Sequence, residues 1–403
     1  MKKLWNRDYI LLLQGSVVST VGDLMYSVAI GYWVYEKTGS SGLMGIMSAI
    51  SMFVTMFLSP FSGSIVDKLD RKRVMVGMDL MQGVIILAVG ILAFTDKLGV
   101  PGVLTAAFLA AMGSVFYNPA VSTLMIDLIP RDDMVRGQSV FSGAMGLIQT
   151  VGSAFSGVMV AFFGVPLIVV INGLTNIYCA VSELFIRVPR TVQQGDPVSL
   201  RGLLRDMGSA VKLIFSDKSL RIFVPFALIV NLLGSGPLTL VLPFCMEKGF
   251  SVDMYGYIMS VYMIGSLLSV LLLGILKLTP KVRFWAMALG FVCSDVFLIL
   301  TWLGRSFTAI SVFAFAAAFL NCAGNSIFNA SLMLALPEEN RGAILGFIQS
   351  ASTGGSAVSA VIYGLLGDVF PLYLVFTVGS VISLAPMLYM SFHPETKRFI
   401  QDH

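Results

Sequence analysis

Long apolar runs, separated by short charged or turn-forming clusters, occupy most of the chain. A membrane-spanning helix needs roughly 20 apolar residues. Runs that meet this requirement lie at 9–35, 43–66, 74–94, 100–126, 137–163, 165–186, 222–246, 254–276, 284–303, 307–336, 342–369 and 371–392. The pattern therefore predicts twelve transmembrane helices, which we call spans 1 to 12. Span 1 has no small-residue cleavage site, so we predict that it is retained and is not a signal peptide.

The one long polar interruption, at 187–221, divides the spans six and six. Short identities recur at matching places in the two halves, such as Arg136-Gly137 with Arg341-Gly342, Pro166-Leu167 with Pro371-Leu372, and Asn118 with Asn329. Internal repeats are typical of transporters whose substrate site lies near the bilayer midplane. We predict an all-α integral membrane protein with two pseudo-symmetric six-helix bundles, residues 1–186 and 222–403, joined by a cytoplasmic linker at 187–221. Residues 199–215 of the linker have one apolar helical face, which predicts a helix on the membrane surface.

Composition and charge agree with this prediction. The chain is 57% hydrophobic and only 12% charged, whereas soluble proteins average about 25% charged residues. With the N-terminus inside, only Lys37, Lys97, Lys248 and Arg305 of the 26 lysines and arginines fall on outer segments. The positive-inside rule therefore places both termini in the cytoplasm. The net charge of +4 reflects these inner segments, so no nucleic-acid partner is expected.

Residues for enzyme or metal chemistry are sparse. The four cysteines, each in an apolar segment and without the spacing of a zinc or redox site, are Cys179, Cys245, Cys293 and Cys322. The two histidines, His393 and His403, lie at the C-terminal end, and the sequence has no Gly-x4-Gly-Lys-Ser/Thr phosphate loop. A membrane enzyme, the alternative from a different functional class, lacks the residues that it needs. No cofactor and no metal are expected.

A charged loop follows span 2, and its key positions are Gly63, Asp67, Asp70, Arg71 and Lys72. A glycine permits close approach to another helix, and an aspartate here can face the positive N-terminal end of a neighbouring helix. The stretch from Gly63 to Arg73 resembles the signature loop between helices 2 and 3 of the major facilitator superfamily. The resemblance implies two six-helix bundles that open alternately to each side of the membrane.

Two further stretches resemble the bacterial macrolide-efflux branch of this superfamily. One is 75–79 together with Asp70, which replaces the usual glycine of the turn, and the other is 116–120 at the end of span 4. The resemblance implies a proton-driven exporter of a drug or metabolite in the bacterial plasma membrane. The chain departs from many such exporters because 108–113 carries no arginine and 152–157 matches the antiporter motif only in part.

The resemblance also implies gating contacts on the cytoplasmic side. We predict that Arg71 forms an ion pair with Asp127 at the inner end of span 4 when the inner side is closed. We also predict that Asp67 faces the start of span 11 around Gly342, where the helix dipole favours a negative charge. Together these contacts would latch the inner side.

Two ionisable residues lie far from the ends of their spans, Asp23 and Asp295. A charge at the bilayer centre costs about 2.5–3.5 kcal/mol on insertion scales, so such residues are functional candidates. Asp23 shares one helical face with hydroxyl residues, among them Ser16 and Thr20. We predict that Asp23 couples transport to protons, with a structural hydrogen bond as its alternative role, and that Asp295 is the second candidate.

Other acids lie within about two turns of a predicted span end, where water or lipid headgroups can reach them: Asp79, Asp127, Glu183 and Asp368. We therefore expect no coupling role for them.

Polar and aromatic residues on spans 1, 4, 7 and 10 are candidates for the substrate cavity. They are Thr20, Tyr26, Ser27, Phe116, Asn118, Asn231, Ser235, Asn321 and Asn325. Hydrogen bonding between helices is the alternative explanation for each polar member.

The leading functional hypothesis is proton-coupled efflux of a drug-like or amphiphilic metabolite by alternating access. Uptake by proton or sodium symport is the nearest alternative. The expected partners are a small-molecule substrate, protons or sodium, and the lipid bilayer, and the protein is expected to be monomeric. The direction of transport separates the first two hypotheses.

Overall fold

The computed structural model describes residues 4–130, 133–187, 212, 220–276, 278–335, 341–394 and 396–397. This part of the chain is helical and contains no strand. Its thirteen helices are α1 (Arg7–Thr38), α2 (Ser41–Lys68), α3 (Arg71–Phe94), α4 (Val100–Leu128), α5 (Met134–Phe163), α6 (Val165–Glu183), α7 (Leu220–Thr239), α8 (Val241–Glu247), α9 (Val252–Ile275), α10 (Pro280–Leu303), α11 (Phe307–Ala335), α12 (Arg341–Gly367) and α13 (Leu372–Phe392). The predicted surface helix at 199–215 lies outside the described residues, apart from Lys212.

Each predicted span coincides with one helix, except the seventh, which is formed by α7 and α8 together. Among the described residues, nine helices are long and apolar enough to cross a membrane, or ten if α7 and α8 are one span. The helices α5 and α12 are not among these, but their 30 and 27 residues exceed the roughly 20 that a crossing requires.

The bend of 48° between α7 and α8 has a cause in the sequence. Pro237 lies in the last turn of α7, where its ring excludes the carbonyl of Leu233 from the usual helical bond. The Tyr363 hydroxyl of α12 donates to that carbonyl at 2.8 Å, and the amide of Gly236 donates to Ser359 Oγ at 2.9 Å. Side chains of α12 thus satisfy the backbone groups that the bend releases, as a membrane interior requires.

The helices group into two units by their contacts, Met1–Thr38 with Ile50–Ser199, and Gly39–Ala49 with Leu200–His403. In the first unit, α1 packs on α5 and α6, and α3 packs on α4 and α6. Its core includes Tyr9, Leu12, Met75 and Leu124, all fully buried. In the second unit, α10 packs on α11 and α13, α9 packs on α11, and α7 packs on α12.

The first turns of α2 group with the second unit because Asp368 binds them. Asp368 follows α12 and accepts hydrogen bonds from Ser40 Oγ at 2.8 Å, Ser41 Oγ at 3.0 Å and the Gly42 amide at 3.0 Å. These bonds satisfy groups at the start of α2 that have no partner within the helix. The predicted N-terminal bundle assigns this segment to the first half, whereas its contacts lie with residues near the end of α12.

Glycines bring α3 and α6 into backbone contact. A Cβ placed on Gly173 would lie 2.7 Å from the amide nitrogen of Leu87, and one on Gly83 would lie 3.0 Å from the carbonyl oxygen of Gly173. Small residues allow this approach between membrane helices. The contact matters for function because both helices carry polar groups of the site described below.

We expect Gly173→Ala to destabilise the protein by about 1–3 kcal/mol, because the added methyl group meets the backbone and not a flexible side chain. Gly77→Ala on α3 is the matched control, since a Cβ there meets nothing within 4 Å. The control should be neutral or slightly stabilising. Thermal unfolding in detergent measures both, and equal melting temperatures for the two variants would contradict the expectation.

Candidate functional site

A polar cavity of about 670 Å³ lies inside the first unit, between α1, α3, α4 and α5. Its polar lining includes Ser16, Thr20, Asp23, Asp79, Gln82 and Asn118. Phe141 and Met145 of α5 add apolar surface. Within the described residues, neither lysine nor arginine lines the cavity, and its ionisable acids are Asp23 and Asp79.

Asp23 is held on one side by amides of α6. Asn172 Nδ2 donates to Asp23 Oδ1 at 3.3 Å, and Asn176 Nδ2 donates to Asn172 Oδ1 at 3.0 Å. Ser19 Oγ in turn donates to Asn176 Oδ1 at 3.3 Å. This chain of bonds orients Asp23 toward the cavity, and it leaves the carboxyl without a basic partner among the described residues.

Asp79 and Glu183 are buried in the same region, and the expectation that both lie within reach of water or headgroups is wrong. Asp79 is 1% exposed and Glu183 is fully buried. Tyr117 Oη donates to Glu183 Oε1 at 3.1 Å. Among the described residues, Asp79 Oδ2 and Glu183 Oε2 have no hydrogen-bond partner.

The distance of these two acids from the ends of their helices predicts the wrong environment, because α1 and α4 cover the inner faces of α3 and α6. A second signal in the sequence points to them. Asp79 and Gln82 are three residues apart, and Asn172, Asn176 and Glu183 recur at four and seven, so each set lies on one helical face. Polar residues sharing a face of an otherwise apolar span mark an interior position.

The predicted cavity residues of the first unit divide into two groups. Thr20 and Asn118 line the cavity, together with Asp23. Ser27 is exposed, and Phe116 packs on the core around Leu124. Tyr26 does not line the cavity either, and its hydroxyl has no hydrogen-bond partner within the described part of the chain.

The predicted residues of the second unit make local hydrogen bonds. Ser235 Oγ donates to the carbonyl of Asn231, one turn earlier on α7. On α11, Asn325 Nδ2 donates to Asn321 Oδ1 at 2.8 Å. The prediction that Asn231, Ser235, Asn321 and Asn325 line the substrate cavity stays a prediction.

Asp295 of α10 is 5% exposed and accepts a hydrogen bond from Ser383 Oγ of α13. A carboxyl buried against a hydroxyl of the adjacent helix can join the two helices. Asp295 is thus a buried group at the contact between α10 and α13, and its coupling role stays a prediction.

The charged loop after α2 has clear local roles. Asp70 caps α3, because its Oδ1 accepts from the Arg73 amide at 3.2 Å. Lys72 Nζ donates to the carbonyl of Leu184 at 2.7 Å. The predicted pair is present, with Arg71 Nη1 lying 2.8 Å from Asp127 Oδ2. The proposed link between this pair and closure of the inner side stays a prediction.

The other two predicted positions of this loop are Gly63 and Asp67. A Cβ placed on Gly63 would meet no atom within 4 Å among the described residues, so the close helix approach expected there is absent. The side chains of Asp67 and of residues 341–343 are outside the described set, so the contact between Asp67 and the region of Gly342 stays a prediction.

Comparison with curated proteins finds relatives named as exporters. Macrolide efflux protein A of Streptococcus pyogenes is 24% identical over 219 residues, 54% of this chain and 53% of that protein. The putative bacilysin exporter BacE of Bacillus subtilis (strain 168) is 32% identical over 184 residues, 43% of this chain and 42% of that protein. The multidrug efflux pump Tap of Mycobacterium bovis is 28% identical over 160 residues, 38% of each. The chain thus matches about half or less of each relative's length.

Solved structures show the same fold. A bacterial homologue of the human lysosomal transporter Spinster, in an inward-facing and unoccupied conformation, has a TM-score of 0.74 at 14% identity, over 98% of each chain. The nucleoside transporter NupG has a TM-score of 0.73 at 13% identity, over 96% of this chain and all of that chain. At such identities the likeness concerns the fold alone.

The family comparison covers nearly the whole chain. The sequence model of the Major Facilitator Superfamily matches residues 12–244 and 224–400. With the apolar helices and the structural matches, this confirms the predictions of an all-α multi-pass membrane fold and of a transporter and not an enzyme. The chain belongs to the Major Facilitator Superfamily.

Proposed function

We propose that this transporter exports a drug-like or amphiphilic metabolite by alternating access and is driven by protons. The observation that carries the proposal is the cavity of about 670 Å³ that contains Asp23. Its volume lies in the range of small-molecule sites, roughly 300–1,000 Å³. Apolar surface from Phe141 and Met145 beside hydroxyl and amide groups suits an amphiphile. The names of the relatives favour export.

Asp23 is the proposed proton-coupling group. Low-dielectric surroundings disfavour a charged carboxyl, whereas water in an open cavity stabilises it. A cycle that alternates these environments loads and releases one proton. Asp295 is the next candidate, since it is buried within its span.

The remaining features belong to the same proposal. The bundles are residues 1–186 and 222–403, both termini and the linker at 187–221 are cytoplasmic, and the protein acts as a monomer in the bacterial plasma membrane. The Arg71–Asp127 pair and the contact of Asp67 near Gly342 hold the inner side closed. The region of Asn231, Ser235, Asn321 and Asn325 contributes the second half of the substrate path.

Uptake by proton or sodium symport is the second candidate, favoured by the fold shared with a nucleoside transporter. The two candidates predict opposite changes in cellular content. Export lowers the accumulation of a fluorescent amphiphile, whereas symport raises the uptake of a polar nutrient.

The experiment uses bacteria that lack their main exporters and express either this chain or an empty vector. We expect lower accumulation of ethidium and of a macrolide in expressing cells, and we expect an uncoupler to remove the difference. Equal accumulation across a panel of dyes, antibiotics and metabolites, with raised nutrient uptake, would overturn export. If the difference in accumulation depends on sodium and is unchanged by the uncoupler, proton coupling is overturned.

A further inference from the structure

A buried polar array continues from the cavity toward the end of α6. Asp79 and Tyr117 both line the cavity, and the Tyr117 hydroxyl donates to Glu183 Oε1 at 3.1 Å. Glu183 itself does not line the cavity and is the last residue of α6. Just beyond it, the carbonyl of Leu184 binds the amine of Lys72, which lies in the first turn of α3. The array therefore runs from the cavity to the end of the helices.

Two carboxyl groups in this array each have an oxygen without a partner in the described part of the chain, Asp79 Oδ2 and Glu183 Oε2. An independent observation supports a ligand at the cavity end. Among the described residues, Ser16 Oγ also has no partner at hydrogen-bonding geometry, although it lies near the Tyr117 hydroxyl; its side chain is 5% exposed and lines the same cavity. A buried polar atom without a partner is energetically costly, so these groups require a proton or another ligand that completes their bonds.

Among the described residues, the titratable groups that face this array come from α1, α4 and α6, and none of them is a lysine, arginine or histidine. Asp79 interacts electrostatically with Asp23 of α1 and with Glu183 of α6. The neighbouring titratable groups also include Tyr117 of α4 and Cys179 of α6, whose thiol donates to the carbonyl of Gly15 at 3.2 Å. The nearest cations on α3 are engaged elsewhere, Arg71 with Asp127 and Lys72 with the Leu184 carbonyl.

Three neighbouring carboxylates without a cation repel one another. The state in which at least one of them is protonated is therefore favoured over the state with three negative charges. The geometry does not favour a metal ion, because within the described residues no group of three or more His, Cys, Asp or Glu side chains could hold one. A proton needs only one donor and one acceptor, and the Tyr117–Glu183 bond already supplies such a pair.

We infer that Asp79, Tyr117 and Glu183 form a proton relay that links the substrate cavity to the inner end of α6. Protonated Asp79 gives its proton to the Tyr117 oxygen through one water in the cavity, while the Tyr117 hydroxyl proton passes to Glu183. One O–H bond breaks and one forms at each transfer. Asp79 ends as a carboxylate, Glu183 ends as a carboxylic acid, and Tyr117 is unchanged.

The relay places proton release at a point that the substrate does not occupy, because Glu183 lies behind Tyr117 and outside the cavity lining. Its role in transport rests on the proposed proton coupling. Its existence does not, since protonation of Asp79 and Glu183 can be measured without any substrate.

The first test is infrared difference spectroscopy of the purified full-length protein between acid and alkaline pH, in the region of the protonated carboxyl stretch. We expect Asp79→Asn and Glu183→Gln each to remove one titrating band. Tyr117→Phe should shift the Glu183 band because that carboxyl loses a hydrogen bond. Tyr178→Phe is the matched control, since this exposed hydroxyl of α6 binds Gln14 and not the relay, and it should leave the spectrum unchanged.

Gel filtration and thermal unfolding show which variants are folded. Tyr117→Phe keeps both carboxyl groups, so it tests the relay even if an acid variant fails to fold. Unchanged bands in Glu183→Gln and Tyr117→Phe would overturn the inference. A band that disappears on addition of sodium at constant pH would overturn it in favour of a cation site.

The second test measures proton-driven ethidium transport in proteoliposomes. We expect Tyr117→Phe to slow it on the order of 100-fold, the lower range for a positioned proton-transfer group. Normal rates in Tyr117→Phe would overturn the relay while leaving proton coupling intact. The proposed function fails in a different way, namely if transport by the unmodified protein does not depend on the proton gradient.

Discussion

Replacement of Asp23 by Asn should abolish uphill transport while leaving a folded protein that still binds substrate. Asn keeps the shape of the side chain and its hydrogen bond to Asn172. However, it cannot bind or release a proton when the hydration of the site changes. One proton crossing 100 mV contributes about 2.3 kcal/mol, which corresponds to about a 50-fold substrate gradient. The variant should lose this gradient and retain energy-independent exchange.

The measurement is substrate accumulation in proteoliposomes with an imposed proton gradient, beside exchange without one. Asp8→Asn is the matched control, because Asp8 lies on α1 outside the cavity and accepts a hydrogen bond from the Arg187 amide at 3.0 Å. The control should pump normally. If Asp23→Asn still pumps uphill on a proton gradient, Asp23 is not the coupling group, and Asp295 becomes the next candidate.

Replacement of Asp127 by Asn should destabilise the first unit by about 2 kcal/mol, between the values for exposed and buried ion pairs. The two side chains of the Arg71–Asp127 pair are 9% and 22% exposed, with the charges 2.8 Å apart. Asn retains an acceptor of similar shape, so the loss measures the charge on Asp127. The free energy of unfolding in detergent gives the value.

Asp96→Asn provides the comparison, since the Lys37–Asp96 pair is 3.5 Å long and its side chains are 53% and 86% exposed. Water and salt screen such a pair, so its loss should cost under about 1 kcal/mol. Equal stability of the two variants would mean that partial burial does not strengthen the Arg71–Asp127 pair.

The first of these predictions depends on a position that the sequence identifies well. Asp23 lies in the middle of an apolar run and shares a face with Ser16 and Thr20, and all three line the cavity. The ion pair was also within reach of the sequence, because a basic loop and a single acid near the end of span 4 lie at the same membrane depth. Both inferences use only the depth of a residue in the membrane and the direction of its side chain around the helix.

Residues that are close together on one helix can lie in different environments, because the packing of the neighbouring helices decides what each side chain contacts. Tyr26 and Ser27 follow Asp23 on α1, yet neither lines the cavity. Phe116 and Tyr117 are adjacent on α4 and both pack on the core around Leu124, but only Tyr117 also lines the cavity and reaches Glu183. A single helical sequence does not specify which neighbour covers each face.

By itself the sequence determined the membrane fold, the approximate bounds of the described helices, and the position of Asp23 inside an apolar run. Only the tertiary structure decided that Asp79 and Glu183 are interior. Both lie near the ends of their helices, where position along the chain suggests water, but α3 and α6 approach closely through Gly83 and Gly173 and turn their polar faces inward. Periodicity sets the direction of a side chain around its own helix. The environment in that direction depends on the other helices, whose contacts join residues far apart in the chain.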